Sequence, residues 1–338
     1  MARGAAIVIG GAVAKGAFAA GALAELTRKL RDDGTPIRRL VGTSSGALNA
    51  TMIAAGVRAG APVAAANALA ALWEEKASIW RVFEPDLASW LHRRGASGTQ
   101  RIVDLLKEEC PPSPASPTDD VSLRIVVTPL AGVGAPRTTF EHVERFEGAD
   151  LDRRAARERI FQAAAASAAF PFAFGPVSLQ GVGPCVDGGV VNNTPIGEAI
   201  DQDPGIDVVY VIAADPADLS MTSEQASALG GLDLFLRLVE TLVNERLTRD
   251  LAEARAVNDW IEVLARLEAS GALAPAARDE VIRGLYPHRD PRAFRRLELV
   301  EIRPERPLEG NPFEAFFRPG LRHAYIEQGR AAAAGVGA

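Results

Sequence analysis

Three short glycine-containing stretches place reactive side chains at the ends of predicted strands. The first is Gly42-Thr-Ser-Ser-Gly46, which follows the apolar pair Leu40-Val41 and precedes an alanine-rich helical pattern. A serine on a tight strand-to-helix turn, flanked by small residues, is the arrangement of a nucleophile elbow. The first N–H groups of the following helix would stabilise an oxyanion formed beside Ser44. Taken alone, the motif is equally compatible with a glycine-rich helix cap that carries two serines.

The second stretch, Gly10-Gly-Ala-Val-Ala-Lys-Gly16, also lies between a predicted strand and a predicted helix. Backbone N–H groups in such a turn can converge on an anion. As a dinucleotide-binding fingerprint it is incomplete, because Val13 stands where the middle glycine is needed. The acidic residues about 20 positions further on, Asp32 and Asp33, lie at a predicted helix terminus rather than at a strand end. The stretch therefore favours an oxyanion site over a nucleotide site.

The third stretch is Asp187-Gly188-Gly189, which directly follows the apolar pair Cys185-Val186. An aspartate at a strand end keeps its carboxylate accessible, and the two glycines let another backbone segment approach closely. A plain turn is the commoner role of this tripeptide.

The order of the three stretches along the chain resembles that of the patatin-like phospholipase family. The run from Ala166 to Val177 is similar to the alanine-serine, proline, phenylalanine and proline-valine run that precedes Asp-Gly-Gly in that family. The similarity covers residues 5–215, and residues 318–329 resemble the family's closing helix. The resemblance implies a Ser–Asp dyad without histidine, cofactor or metal, with Ser44 as nucleophile and Asp187 as base. The motif residues that would support this dyad are Lys15, Gly16, Gly42, Gly46, Gly188 and Gly189.

The glycine loop departs from the family pattern, in which three consecutive glycines precede one residue, an Arg or Lys, and a glycine. Counting back from Lys15, the three places hold Gly11, Ala12 and Val13, and the resemblance implies their N–H groups as oxyanion donors. A β-branched valine is strained where φ is positive. Either the loop avoids that conformation, or its alignment with the family motif shifts so that Gly10 and Gly11 provide the oxyanion donors.

A Ser–His–Asp esterase of the α/β-hydrolase type is the alternative mechanism. Ser44 and Asp187, followed by His288 or His323, satisfy the chain order of that class. However, His288 lies in a charged loop and His323 at a predicted helix start, positions more typical of surface or capping histidines. The elbow also follows only one strand, which fits the α/β-hydrolase order poorly. A catalytically weak lipid-binding protein is a further alternative, against which the presence of both Ser44 and Asp187 argues.

The elements that would position these residues alternate between strands and helices. Strands are predicted at 5–10, 37–41, 122–130, 136–143, 207–213 and 296–302. This alternation predicts an α/β fold, a three-layer sandwich with a mostly parallel central sheet and an added helical region. The expected organisation is a single patatin-like domain over 1–338, with a catalytic core at 5–215, a helical insert or lid at 223–285 and a surface loop at 111–117.

Composition and charge narrow the class of protein. The chain has 338 residues, of which 48% are hydrophobic and 24% charged, values typical of a globular protein. A net charge of −6 disfavours nucleic acid as a partner, and the two cysteines match no zinc-ligand spacing. The longest uncharged segment, 160–186, contains three prolines, which favours a buried helix and loop over a membrane span. We therefore expect a cytoplasmic enzyme that acts on a lipid or acyl ester, with at most transient contact with a membrane surface.

Overall fold

A computed structural model describes residues 4–83, 97–112, 120–134, 138–200, 203, 205–286 and 294–337. In this part of the chain eight strands form one sheet: β1 (Gly4–Ile9), β2 (Ile37–Thr43), β3 (Ser122–Pro129), β4 (His142–Phe146), β5 (Val177–Leu179), β6 (Gly183–Asp187), β7 (Ile206–Ile212) and β8 (Glu298–Ile302). The strand order is β5-β6-β3-β2-β1-β7-β8, and β4 also pairs with β3.

The sheet is mostly parallel, as the sequence predicts. Parallel pairs join β3 to β2, β2 to β1, β1 to β7 and β7 to β8. Antiparallel pairs join β3 to β4, β3 to β6 and β5 to β6. The parallel strands are separated by helices along the chain, because a parallel connection requires a crossover that returns to the same end of the sheet.

Helices occupy most of the chain between the strands. Their bounds are α1 (Gly16–Asp32), α2 (Ser45–Arg58), α3 (Pro62–Ala71), α4 (Ile79–Val82), α5 (Gln100–Glu109), α6 (Gly148–Asp152), α7 (Arg154–Ser167), α8 (Ile196–Ile200), α9 (Ser223–Ala228), α10 (Gly231–Ala269), α11 (Pro275–Leu285) and α12 (Pro319–Ala334). A π-helical turn at Leu72–Lys76 extends α3, and short 3₁₀ turns lie at Val13–Lys15, Gly188–Val190 and Glu314–Phe316.

Strand β1 shows that the sheet is covered on both faces. Its residues Ala5, Ile7 and Ile9 pack into a cluster with side chains of α1, α2 and α12. The alternate residues Ala6 and Val8 pack into a second cluster with side chains of α8 and α10. A strand buried on both faces must be apolar at every position, which explains the uninterrupted run Ala5–Ile9. The result is the three-layer α/β arrangement expected from the sequence.

The helical region after β7 is formed by α9, α10 and α11, and its main break falls around Gly271, as the sequence predicts. The uncharged segment 160–186 forms the end of α7, a loop, β5 and most of β6. Among the described helices, none combines the length and the apolar content that crossing a bilayer requires. Of the predicted surface loop at 111–117, residues 113–117 lie outside the described residues.

One predicted strand is wrong in its position. The pattern at 136–143 predicts a strand, but the structure places β4 at His142–Phe146. Residues 136 and 137 lie outside the described residues, and 138–141 precede the strand. The strand pairs with β3 on one side, and only Glu144 and Phe146 are buried. A half-exposed strand of mixed polarity has no continuous apolar run to mark its ends, so its bounds are hard to read from sequence.

Candidate active site

The turn between β2 and α2 has the geometry of a nucleophile elbow. Ser44 has φ 55° and ψ −130°, a backbone conformation that few residues other than glycine adopt. A Cβ atom on Gly46 would lie 2.1 Å from the Ile9 carbonyl oxygen, and one on Gly42 would lie 2.5 Å from the Gly46 carbonyl oxygen. Both glycines are therefore required by the close approach of backbone segments, and the turn holds the Ser44 side chain at the carboxyl end of the sheet.

The side chains of Ser44 and Asp187 are in direct contact. Ser44 Oγ donates a hydrogen bond to Asp187 Oδ2 at 2.6 Å, and the Gly189 N–H donates to Asp187 Oδ1 at 2.7 Å. Ser44 is 6% exposed and Asp187 is 3% exposed. Each carboxylate oxygen thus has one donor, and the serine hydroxyl proton points at the group that can accept it.

Burial changes the acidity of Asp187. It raises the pKa of this carboxyl from 3.8 to about 7, although the hydrogen bonds from Ser44 and Gly189 favour the ionised form and partly oppose the increase. A carboxylate with this pKa is a much stronger base than an exposed aspartate and is still ionised in a large fraction of molecules at neutral pH.

Strand β3 lies between β2, which leads to Ser44, and β6, which ends at Asp187, and it sets the spacing of these two strands. Thr43 of β2 lies opposite Val126, and Asp187 of β6 lies opposite Val127. The Ser167 hydroxyl donates to the Val126 carbonyl at 2.6 Å and accepts the Ser44 N–H at 2.8 Å. On the other side, the Thr128 hydroxyl donates to the Asp187 carbonyl at 2.9 Å. The backbone on both sides of the pair is therefore tied to one central strand.

The glycine loop lies against Ser44 and is held by Asn193. The Asn193 side chain accepts the Gly11 N–H at 2.9 Å and donates to the Gly11 carbonyl at 3.0 Å. A Cβ atom on Gly11 would lie 2.3 Å from Ser44 Cβ. Glycine is the residue that permits this contact between the loop and the elbow.

The N–H groups of the glycine loop are not equally available to an oxyanion. The Gly10 N–H donates to the Ile212 carbonyl, the Gly11 N–H to Asn193, and the Ala12 N–H to Ser45 Oγ at 3.0 Å. Val13 has φ 52°, so the loop adopts the strained conformation rather than avoiding it. Within the described part of the chain, the Val13 N–H has no hydrogen-bond partner.

Two cavities meet at Ser44, and both are also lined by Val13 and Phe170. The larger has a volume of about 270 Å³ and lies between the glycine loop, the Asp187–Val190 turn and helix α10. The smaller has a volume of about 60 Å³ and is lined by residues of α2, α3 and α5 together with Phe174 and Phe316. Asp187 lines only the larger cavity.

The motif lysine connects the site to helix α10. Lys15 is buried, and its Nζ lies 3.7 Å from Glu240 Oε1 on that helix. Asp215 lies near the same lysine, and burial raises its pKa while the charge of Lys15 lowers it. A buried lysine needs such acidic neighbours because an isolated buried charge is unfavourable.

The described histidines, His142 and His323, are hydrogen-bonded to glutamates and not to Ser44 or Asp187, although His142 and Asp187 both lie opposite Val127 of β3. His323 is hydrogen-bonded with Glu74 at 2.7 Å on an exposed part of the surface, and His142 is hydrogen-bonded with Glu144 at 3.1 Å. His92 and His288 lie outside the described residues. Neither described histidine lines a cavity that Ser44 lines.

Side chains that the sequence analysis did not select hold the site together. Asn193 and Ser167 bind backbone groups of the loop and the elbow, and Ser45 accepts the Ala12 N–H. The available signal for Asn193 was a pair of asparagines that follows Asp187-Gly-Gly after two valines. In the described part of the chain, no group of three or more His, Cys, Asp or Glu residues has the arrangement of a metal site. Both cysteines are free and buried.

Comparison with solved structures finds proteins of low identity. The crystal structure of VipD from Legionella pneumophila shares 14% sequence identity and has a TM-score of 0.41, with 98% of this chain and 66% of that chain covered. The structure of ExoU with SpcU from the type III secretion system of Pseudomonas aeruginosa shares 13% identity and has a TM-score of 0.32, with 96% and 70% covered. The chain thus spans about two thirds of the length of these proteins. Comparison with curated proteins finds no match.

A family model described as "Patatin-like phospholipase" matches residues 7–200, which is more than half of the chain. The matched region contains the glycine loop, the Gly42–Gly46 elbow and the Asp187–Gly189 turn. The chain therefore belongs to the patatin-like phospholipase family.

Proposed function

We propose that this protein is a serine hydrolase that cleaves carboxylic esters of phospholipids or other lipids through a Ser44–Asp187 dyad. The observation that carries the proposal is the 2.6 Å hydrogen bond from Ser44 Oγ to Asp187, whose buried carboxyl has a pKa raised to about 7. A serine hydroxyl is a weak nucleophile until an adjacent base removes its proton. Membership of the patatin-like phospholipase family supports a lipid ester as the substrate.

In the first step, Ser44 Oγ attacks the ester carbonyl carbon while its proton moves to Asp187 Oδ2. A carbon–oxygen bond forms, and the electron pair of the carbonyl π bond moves to the carbonyl oxygen. We propose that the Val13 N–H donates to this oxyanion, because the other three loop N–H groups already have acceptors. The N-terminus of α2, which begins at Ser45, stabilises the same negative charge.

In the second step, the tetrahedral intermediate collapses and the bond to the alcohol oxygen breaks. The alcohol leaves with the proton from Asp187, and the acyl group remains on Ser44. A water molecule then gives a proton to Asp187 and attacks the acyl carbonyl carbon. The bond from that carbon to Ser44 Oγ breaks, Oγ takes the proton back from Asp187, and the carboxylic acid leaves. One carboxyl with a pKa near neutrality can act as base and acid in turn without a histidine.

The surroundings of the larger cavity support a lipid substrate presented at a membrane surface. Phe172, Val190 and Leu242 line this cavity and are 77%, 59% and 71% exposed. Exposed apolar side chains around one opening are typical of a site that contacts an apolar partner. Their contribution would be a transient, peripheral contact with lipid, since the energy of burial grows with the apolar area covered.

The direct test is hydrolysis of a panel of acyl esters and phospholipids by the wild type, Ser44→Ala and the matched control Ser45→Ala. Ser44→Ala should lose at least about 1,000-fold in kcat/KM, which is the scale of removing one member of a catalytic unit. It should also lose labelling by a fluorophosphonate, whereas Ser45→Ala should keep it. Loss of labelling in Ser45→Ala with retention in Ser44→Ala would contradict the assignment.

A further inference from the structure

We infer that the smaller cavity beside Ser44 binds the acyl chain of the substrate, and that Met52 sets the length of chain it accepts. This cavity, about 60 Å³ in volume and lined mainly by residues of α2, α3 and α5, is called the acyl chamber below. The inference rests on the proposed function, because it assigns the acyl arm and the alcohol arm of an ester that Ser44 attacks to separate cavities.

The position of Asp187 decides which arm enters which cavity. Asp187 and Gly189 line the larger cavity and do not line the acyl chamber. The leaving alcohol takes its proton from Asp187, and the water that cleaves the acyl-enzyme gives its proton to the same group. Both must therefore occupy the larger cavity, which reaches the surface at Phe172 and Leu242. The acyl arm, which stays on Ser44 between the two events, is left with the acyl chamber.

The lining of the acyl chamber suits a hydrocarbon chain. Among the described residues, eighteen line it, and apart from the Trp73 indole N–H their polar side chains are those of Ser44, Ser45 and Asn49. The Asn49 amide is used within the protein, since it donates to the Gly16 carbonyl at 3.1 Å and accepts the Trp73 Nε1–H at 2.8 Å. A space with so few free polar partners holds water poorly, so filling it with methylene groups is favourable.

The acyl chamber runs along one face of α2. Ser45, Leu48 and Met52 line it at intervals of three and four residues, which places them on the same side of the helix. Met52 is two turns beyond the elbow, about 12 Å along the helix axis from Ser44 at 1.5 Å per residue. It is the α2 residue furthest from the nucleophile in the lining, and it is fully buried.

The volume of the acyl chamber limits the chain. At 10–15 Å³ for each water-sized group, 60 Å³ holds roughly four to six such groups. A methylene is close to a water molecule in size, so the chamber takes an acyl chain of about four to six carbons, with about six as the upper limit. Shorter chains leave it partly empty, and longer chains meet its far wall at Met52.

The experiment is a chain-length profile with a constant leaving group. p-Nitrophenyl esters with acyl chains from acetyl to tetradecanoyl, each below its micelle concentration, are assayed with the wild type, Met52→Ala and Ile53→Ala. Ile53 is the matched control, because it is the next residue of α2, is fully buried and lines neither cavity. Wild-type kcat/KM should rise about fourfold per added methylene up to about six carbons and then fall. Met52→Ala, which removes three heavy atoms, should move the optimum about three carbons longer, whereas Ile53→Ala should leave it in place.

The outcomes separate the two proposals. If the wild type cleaves none of the esters and Ser44 is not labelled by a fluorophosphonate, the proposed function fails. If the esters are cleaved but the optimum is the same in Met52→Ala as in the wild type, or moves equally in Ile53→Ala, the chamber assignment is wrong. Should Met52→Ala not fold, a crystal structure of the wild type inactivated by a hexyl phosphonate decides the matter. The hexyl chain beside Met52 supports the inference, and the chain beside Val243 in the larger cavity overturns it.

Discussion

Replacing Asp187 by asparagine should abolish activity and at the same time stabilise the protein at neutral and alkaline pH. The carboxyl is fully buried, and its pKa is raised from 3.8 to about 7 by that burial. An asparagine fits the same space, because its Oδ1 can accept the Gly189 N–H and its Nδ2 can donate to Ser44 Oγ. The amide carries no charge at any pH, so it avoids the unfavourable ionisation of the buried acid.

The magnitude follows from the difference between the folded and unfolded states. Below about pH 4 the Asp187 carboxyl is protonated in both states, and its ionisation has no effect on stability. Between about pH 4 and pH 7 the unfolded chain is ionised while the folded chain still holds the proton, so stability falls as the pH rises. At about 1.4 kcal/mol per pH unit, the loss reaches about 4 kcal/mol above pH 7.

The assay is urea-induced unfolding of the wild type and Asp187→Asn at several values between pH 4 and pH 9. The free energy of unfolding of the variant minus that of the wild type should increase by about 4 kcal/mol from pH 4 to pH 8. Kinetic assays on the same samples should show a loss of at least about 1,000-fold in kcat/KM for the variant. A difference that stays constant across this range would refute the raised pKa, and a catalytically active Asp187→Asn would refute its role as base.

Four further outcomes are expected. Wild-type kcat/KM should rise about tenfold per pH unit and level off near pH 7, the pKa of Asp187, and a flat profile between pH 5 and pH 9 would exclude this carboxyl as the base. Val13→Gly relieves a positive-φ strain of about 1–2 kcal/mol and keeps the backbone N–H, so kcat/KM should stay within about threefold of wild type. A loss of more than tenfold would show that the valine side chain shapes the site. Asn193→Ala removes both hydrogen bonds to Gly11 and displaces the glycine loop, so kcat should fall by about 100-fold with no change in the midpoint of the pH profile. An unchanged kcat would mean that other contacts hold the loop. His323→Ala should change kcat/KM less than twofold, and a loss comparable to that of Ser44→Ala would restore the triad alternative.

Most of the fold and the positions of the reactive residues could be predicted because the responsible signals are local. Strands β1 and β7 are short apolar runs, and β1 is apolar at every position because it is buried on both faces. The elbow at Ser44 and the turn at Asp187 are each marked by adjacent glycines, and the structure brings these two side chains within hydrogen-bond distance. Their catalytic roles stay predictions until activity is measured.

The remaining features depend on contacts between distant parts of the chain, which no local pattern encodes. Asn193 binds Gly11, 182 residues earlier in the sequence, and neither residue reveals the other. The antiparallel orientation of β6, and the position of β4 at His142–Phe146 rather than at 136–143, are set by pairing with β3. The availability of the Val13 N–H also follows from the acceptors that Asn193 and Ser45 supply to its neighbours.

Thr43 and Asp187 lie opposite neighbouring residues of β3 on its two sides, so the sheet fixes the distance between Ser44 and Asp187. Adjacent strands in a sheet are about 4.8 Å apart, so the interval between β2 and β6 is set by two hydrogen-bonded spacings. Helix α10 supplies no backbone to this interval, and its movement would leave the distance from Ser44 to Asp187 unchanged. The spacing of Ser44 and Asp187 is therefore independent of the helical region after β7. Changes of length or sequence in that region would leave the two side chains in contact.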